Sequence, residues 1–179
     1  MLINRRFVLR TASYDDAPLL RQIFADSHCA GWELLSLDKA GYVQLVEIQL
    51  AARRSQYRGA YPGSCEQIIE AAGTAVGSCW LAETAEELRV VDIAVLAEHR
   101  RNGVARTLLR QLGADAASRG KPVRLSVWQE NTVAQALYRN LGFRPRAAEQ
   151  ERAGAPTGHL ELEWSAAMHQ ATMHTAAND

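Results

Sequence analysis

Phe7 to Thr11, F-V-L-R-T, is a short apolar run ending in polar residues and reads as a first strand. The pattern then changes. Leu19, Leu20, Ile23 and Phe24 recur at helical spacing and predict a helix from about Asp15 to Ser27. Ser13 or Asp15 stands near its cap, and Pro18 falls in the first turn, where its missing N–H is tolerated. Val43, Val46 and Leu50 share one face of a second predicted helix, from about Asp38 to Ser55. Gln56 to Ser64, Q-Y-R-G-A-Y-P-G-S, reads as an aromatic, turn-rich loop. Gln67–Ala71 and Ala75–Glu83 read as strands joined at Gly73-Thr74, and Leu88–Val95 as a third, more buried strand of the same meander.

The second half continues the alternation of periods. Val104, Leu108, Leu112 and Ala116 step by four along a helix that ends at Gly120. Gly113 inside it should cost ~1 kcal/mol relative to alanine. Pro122–Trp128 is a strand, and Thr132–Gln135 forms a T-x-x-Q capping box before another helix. Phe143–Glu151 and Gly158–Ser165 read as a final strand pair around a turn at Gly154–Gly158. The order β-α-α-β-β-β-α-β-α-β-β predicts an α/β (α+β) domain with a mixed sheet over residues 1–167. Residues 168–179 lack core pattern and turn logic and read as a frayed tail.

Composition narrows the class. The 179 residues are 47% hydrophobic, enough for a sizeable core. Twenty basic and twenty acidic residues cancel, so bulk charge points to neither nucleic acid nor a membrane surface. No apolar run has transmembrane length, and Met1–Arg10 lacks a signal-peptide core. A cytoplasmic location is expected. Cys29, Cys65 and Cys79 show no C-x-x-C spacing and read as reduced thiols. The five histidines lack metal-ligand spacing, so no metal is expected.

The chemistry concentrates at Arg100–Ala105, R-R-N-G-V-A, between a predicted strand and a predicted helix. Backbone N–H groups at a helix start lack partners within the helix, and the helix dipole adds partial positive charge. Gly103 lets a bulky anion approach the backbone. Arg100 and Arg101 add charge at the rim. The spacing is neither G-x-G-x-x-G nor the P-loop pattern. It is [Q/R]-x-x-G-x-[G/A], met by Arg100, Gly103 and Ala105. A second block, residues 125–143, sets Asn131, Ala134, Leu137, Tyr138, Gly142 and Phe143 in order after a strand.

Together the two blocks resemble the signatures of the GNAT superfamily of N-acetyltransferases. The resemblance implies a central, mostly antiparallel sheet, splayed between the two parallel strands at Leu88–Val95 and Pro122–Trp128 and flanked by about four helices. It implies acetyl-CoA as cosubstrate. Arg100, Arg101, Asn102, Gly103, Val104 and Ala105 would surround the pyrophosphate, the backbones of Ile93 and Val95 would bond pantetheine, and Asn131 and Ala134 would contact the cofactor. Tyr138 would be the general acid for the departing thiolate. Homodimers are common in such proteins.

The residues bear on these roles independently. Tyr138 follows Asn131 by about two helical turns, so both face one way. A phenol of pKa near ~10 is protonated at neutral pH and can donate. Asn131 also reads as a simple helix cap. Asp92 shares a strand face with Val90 and Ala94 and is the first candidate for the general base. Glu130, Glu161 and Glu163 compete with it, the last two sharing a face with His159, and each reads equally as a solvated or ion-paired acid. Tyr57, Arg58 and Tyr61 could bind an aromatic or carboxylate-bearing amine, or simply pack an Ω-type loop. The implied activity is transfer of an acetyl group to a primary amine of a small molecule or peptide, by direct attack in a ternary complex. A non-catalytic CoA-binding module and a transferase using a longer acyl-CoA fit the same residues.

Overall fold

A computed structural model describes residues 7–29, 31–146 and 158–167. Among the described residues, seven strands and four α-helices follow the predicted order: β1 (Phe7–Thr11), α1 (Ala17–His28), α2 (Lys39–Ala60), β2 (Cys65–Ala71), β3 (Thr74–Glu83), β4 (Leu88–Val95), α3 (Val104–Ala117), β5 (Val123–Trp128), α4 (Thr132–Asn140), β6 (Arg144–Pro145) and β7 (His159–Trp164). Hydrogen-bonded neighbours run β1-β2-β3-β4-β5-β7-β6. The sheet is mixed and mostly antiparallel, its parallel pair being β4 with β5 over Leu88–Val90 against Val123–Leu125. Two compact units divide the chain: Met1–Ala82 with Asp92–Ala105, and Glu83–Val91 with Arg106–Asp179. The expected tail at 168–179 and the turn at 154–157 lie outside the described residues.

In the first unit β1 pairs antiparallel with β2, and β2 with β3. Leu20 and Ile23 of α1 pack with Ile68, Ala94 and Leu96. Phe24 and Cys29 pack with Val46 and Leu50 of α2. Val43, grouped with these two by its spacing, is instead exposed. The most continuously buried strand is β3, Val76 to Trp80, rather than β4, which alternates. At Gly77 a Cβ would stand 2.4 Å from the Ala94 carbonyl oxygen, so only glycine lets β3 and β4 approach this closely.

Entry into α1 is tied by charge. Both terminal nitrogens of Arg10 donate to Asp16 at 2.7 Å, and its Nε donates to Glu70 at 2.6 Å. The Ser13 N–H donates to Asp16 Oδ2 at 2.7 Å. Ser13 caps the 3-10 turn that runs into α1, and Asp16 is the N-cap of α1 itself. This 3-10 turn over Tyr14–Asp16 shifts the helix start from about Asp15 to Ala17.

In the second unit β5 and β6 both pair antiparallel with β7. Gly113 of α3 lies 3.2 Å, measured to a virtual Cβ, from the Trp164 ring. Close packing of the indole therefore accompanies the helix-propensity cost. The predicted capping box at Thr132 is replaced by a cap one residue earlier. Asn131 Oδ1 accepts the Ala134 N–H at 3.0 Å, while the Gln135 side chain reaches the carbonyls of Trp128 and Gln129. The strand expected over 143–151 is described only as Arg144–Pro145.

Two predictions follow from this packing. Gly77→Ala forces a methyl into the Ala94 carbonyl and should lower stability by roughly 1–3 kcal/mol. Gly59→Ala, in the last turn of α2 with nothing within 4 Å of a virtual Cβ, should raise it by about 0.5–1 kcal/mol. Urea midpoints at constant slope report both.

Asp16 is held well below the usual carboxylate range, chiefly by Arg10 and then by the Ser13 N–H. The unfolded chain regains an ordinary aspartate. The contribution is therefore full above about pH 4 and is lost as pH falls further. Asp16→Asn should flatten the acid side of a stability-against-pH curve without steepening its neutral side.

Candidate active site

Two features of the first unit carry chemistry, and β4 leads to both. The first is the turn beyond its end. The Leu96 N–H donates to the Val76 carbonyl at 3.0 Å, holding the exit of β4 against β3. Arg100 then folds back, its Nε donating to the Val95 carbonyl at 3.0 Å and its NH2 to the Asp26 carbonyl at 2.8 Å. The Ala97 N–H donates to Asp26 Oδ2 at 3.1 Å.

The expected rim charge of Arg100 is therefore also a clamp between the turn and the end of α1. Its Nε and one terminal nitrogen are used on the protein, and the Val95 carbonyl is engaged by it. Arg101 and Asn102 are exposed. Arg101 has φ +65° and Gly103 φ +79°, so the chain makes two left-handed steps before α3 begins. A Cβ on Gly103 would meet nothing within 4 Å. The open space, the exposed cation and the unpaired N–H groups of a helix start together fit an anionic group such as a pyrophosphate. Val104 is buried and Ala105 half-buried, so their side chains belong to the helix packing and only their backbones face this role. Ile93 is half-buried on β4.

The second feature is a polar cleft lined by α1, α2 and strands β2 to β4. Phe24 and His28 come from α1, Arg53, Arg54 and Tyr57 from α2, and Glu66, Ser78, Trp80 and Asp92 from the strands. Its free volume is about 20 Å³, room for a water or a small head group and not for a whole substrate. Asp92 stands on the face of β4 set by Val90 and Ala94, as its spacing requires. Its Oδ2 lies 3.7 Å from Arg53 Nε. That Nε donates to the Tyr57 hydroxyl at 2.6 Å. Arg54 pairs with Glu66 at 2.8 Å, and Trp80 Nε1 donates to Ser64 Oγ at 2.7 Å.

Burial sets the protonation pattern. Tyr57 is pushed up to about 12 by desolvation, with Asp92 adding to the effect and Arg53 opposing it. Burial raises Glu66 against the pull of Arg54. Burial, then Arg53, lowers His28, while Asp92 works the other way, so its imidazole is neutral at pH 7. Burial pushes the Cys79 thiol up to about 12, which leaves it protonated rather than nucleophilic.

Of the residues expected to bind the acceptor, Tyr57 lines the cleft; Arg58 and Tyr61 do not. The expected loop over 56–60 is helix, since α2 runs to Ala60. Arg58 lies exposed, its guanidinium 5.7 Å from the Trp80 ring centroid. Tyr61 caps the helix, its N–H on the Tyr57 carbonyl. The residues sequence reasoning missed are His28, Arg53, Arg54, Glu66 and Trp80. The signal for Arg53 was present. Val46, Leu50, Arg53 and Tyr57 fall at i, i+4, i+7 and i+11, one helical stripe continuing past Ser55.

In the second unit Asn131 caps α4 through the Ala134 N–H, so its cap reading holds. Tyr138 is buried and packs its ring 5.7 Å from Phe143. Glu161 and Glu163, competitors for the base, are ion-paired. Arg89 donates to Glu161 at 2.8 Å, and Arg124 Nε donates to Glu163 at 2.7 Å. Glu130 accepts from Trp128 Nε1 at 3.4 Å. Among the described residues no cluster of His, Cys, Asp or Glu could hold a metal ion, and no helix is long and apolar enough to cross a membrane.

Residues 64–145 match the family model of the acetyltransferase (GNAT) domain. The fold is similar to a PaiA N-acetyltransferase from Thermoplasma acidophilum solved with coenzyme A (TM-score 0.61, 16% identity, 89% of this chain and 98% of that one). It is similar also to a GNAT family acetyltransferase from Elizabethkingia anophelis with acetyl-CoA bound (0.56, 13%, 89% and 98%). A third likeness is to the ribosomal-protein-S18-alanine N-acetyltransferase from Escherichia coli (0.55, 19%, 88% and 90%). Curated proteins gave no significant sequence match. At these identities the structures speak for the fold, whereas the family model speaks for the stretch that contains β4, the Arg100–Ala105 turn and Tyr138: residues 64–145 match an acetyltransferase (GNAT) domain, and the chain has the fold of the acetyltransferases it is similar to.

Proposed function

We propose that the protein is an N-acetyltransferase that moves an acetyl group from acetyl-CoA to a primary amine of a small molecule or peptide by direct attack in a ternary complex. The observation that carries this reading is the Arg100–Ala105 turn, where Gly103 at φ +79° opens onto free space at the start of α3. Arg101, Asn102 and the backbone of Gly103, Val104 and Ala105 would hold the pyrophosphate, with Arg100 fixing the turn from behind. The backbones of Ile93 and Val95 would receive the pantetheine arm, and Asn131 and Ala134 would contact the cofactor. Acetyl-CoA supplies the acetyl group as an activated thioester.

The chain's residues then handle protons. Asp92, half-buried on β4, would accept the proton of the attacking amine directly or through a water. Tyr138 would protonate the departing sulfur. One N–C bond forms as one C–S bond breaks, and the amine proton is balanced by the proton on the released thiol. A role for Asp92 agrees with its place in the cleft beside Arg53, and Glu161 and Glu163 are less available because arginines hold them.

Calorimetric titration with acetyl-CoA, free CoA and a longer acyl-CoA tests the cofactor. Saturable one-to-one binding that prefers acetyl-CoA is expected. No binding to any of them would overturn the reading, and preference for the longer thioester would change the donor. Gly103→Asp should weaken CoA binding by at least tenfold, because it strains a left-handed residue and puts a carboxylate where the anion lies. Tyr138→Phe should leave CoA affinity intact and lower kcat roughly 100-fold. Unchanged kcat would remove the general-acid assignment.

A further inference from the structure

Resting on the acetyltransferase reading, we infer that the acceptor is an amine that also carries a carboxylate, and that Arg53 in the α1–α2–β4 cleft is the residue that recognises it. Arg54 is closed onto Glu66, and the Trp80 indole onto Ser64. Arg53 spends only its Nε, at 2.6 Å on Tyr57. Its contact with Asp92 is 3.7 Å and comes from the same nitrogen, longer than the 2.7–2.9 Å of a charge-assisted bond. None of the described hydrogen bonds uses its two terminal nitrogens. A guanidinium held by Nε while its terminal nitrogens stay available is the geometry for a planar bidentate anion.

The surroundings orient that fork. The Arg53 guanidinium lies 5.3 Å from the Tyr57 ring centroid and 6.0 Å from that of Phe24. Asp92 and Glu66 line the same cleft. A carboxylate brings one negative charge to the available cation, whereas a phosphate dianion brings two against the same Asp92 and is repelled more strongly. Asp92 beside the same arginine then faces the ammonium end of the acceptor. The charged groups lining the cleft with Arg53 are Asp92 on β4, Glu66 on β2 and Arg54 on α2, the last two paired with each other, with His28 on α1 neutral at pH 7.

The test is an initial-rate screen following release of the CoA thiol. Its first arm is free amino acids, α, β and γ; its second is the matching decarboxylated amines; its third is aminoalkyl phosphates. Acetyl-CoA calorimetry is run on every protein used. Wild-type protein should favour aminocarboxylates over their decarboxylated partners by at least 100-fold in kcat/KM. Arg53→Met should bind acetyl-CoA normally and reduce that preference to within about threefold, mainly through KM. Arg53→Lys, which keeps the charge without the fork, should restore part of it.

Preference for decarboxylated amines or aminoalkyl phosphates would overturn the inference. So would an Arg53→Met protein that keeps the wild-type preference, or no turnover of any aminocarboxylate by protein that binds acetyl-CoA. Failure to bind acetyl-CoA at all would instead overturn the acetyltransferase reading on which the inference rests.

Discussion

The close approach of β3 to β4 at Gly77 governs the chemistry of the first unit. With no Cβ to obstruct it, the Ala94 carbonyl comes against the β3 backbone, and the Leu96 N–H continues the contact onto Val76. That placement directs Asp92 into the cleft on one side of the strand. It also fixes where β4 ends and the anion-fitting turn begins. Arg100 completes the arrangement by bonding the Val95 carbonyl and the end of α1. One strand therefore positions a carboxylate in mid-span and an electropositive turn at its exit.

The second unit solves a different problem. Arg89 and Arg124 are register partners on adjacent strands, and two cations side by side on a sheet repel. Acids surround them: Arg89 bonds Glu161, and Arg124 bonds Glu163 and Glu87. Ser126 also donates to Glu161. Charges that resemble catalytic candidates along a strand are thereby committed to pairing across the sheet. Asp92 differs because its arginine also serves a tyrosine and stands farther off.

Much of the fold was legible from periodicity and from punctuation by glycine and proline. Phe7–Thr11 and Leu88–Val95 match their predicted bounds because each stops abruptly, and α3 starts at the predicted Val104 but ends at Ala117, three residues before Gly120. The errors share a cause. Gln56–Ala60 looked like a loop because of its glycine and aromatics, but Tyr57 packs edge-on to Trp80 at 5.4 Å and the helix continues beneath it. Thr132 looked like a cap, but the Asn131 side chain reaches the Ala134 N–H first. Packing and a competing side chain outweighed local propensity in both places.

By itself, the sequence determined the order of elements, the turn at Arg100–Ala105 and the motif carrying Asn131 and Tyr138. These are local: a spacing of a few residues sets which groups share a face and where a helix begins. Only the tertiary structure decided that His28, Arg53, Glu66 and Asp92 would line one cleft. It alone showed that Arg100 clamps the turn as well as charging it, and that Arg53 rather than Arg58 faces the cleft. Those relations join residues from α1, α2 and three strands, far apart along the chain. Side-chain type and spacing do not encode which distant partner takes a donor; that depends on how closely the strands and helices pack, down to the missing Cβ of Gly77.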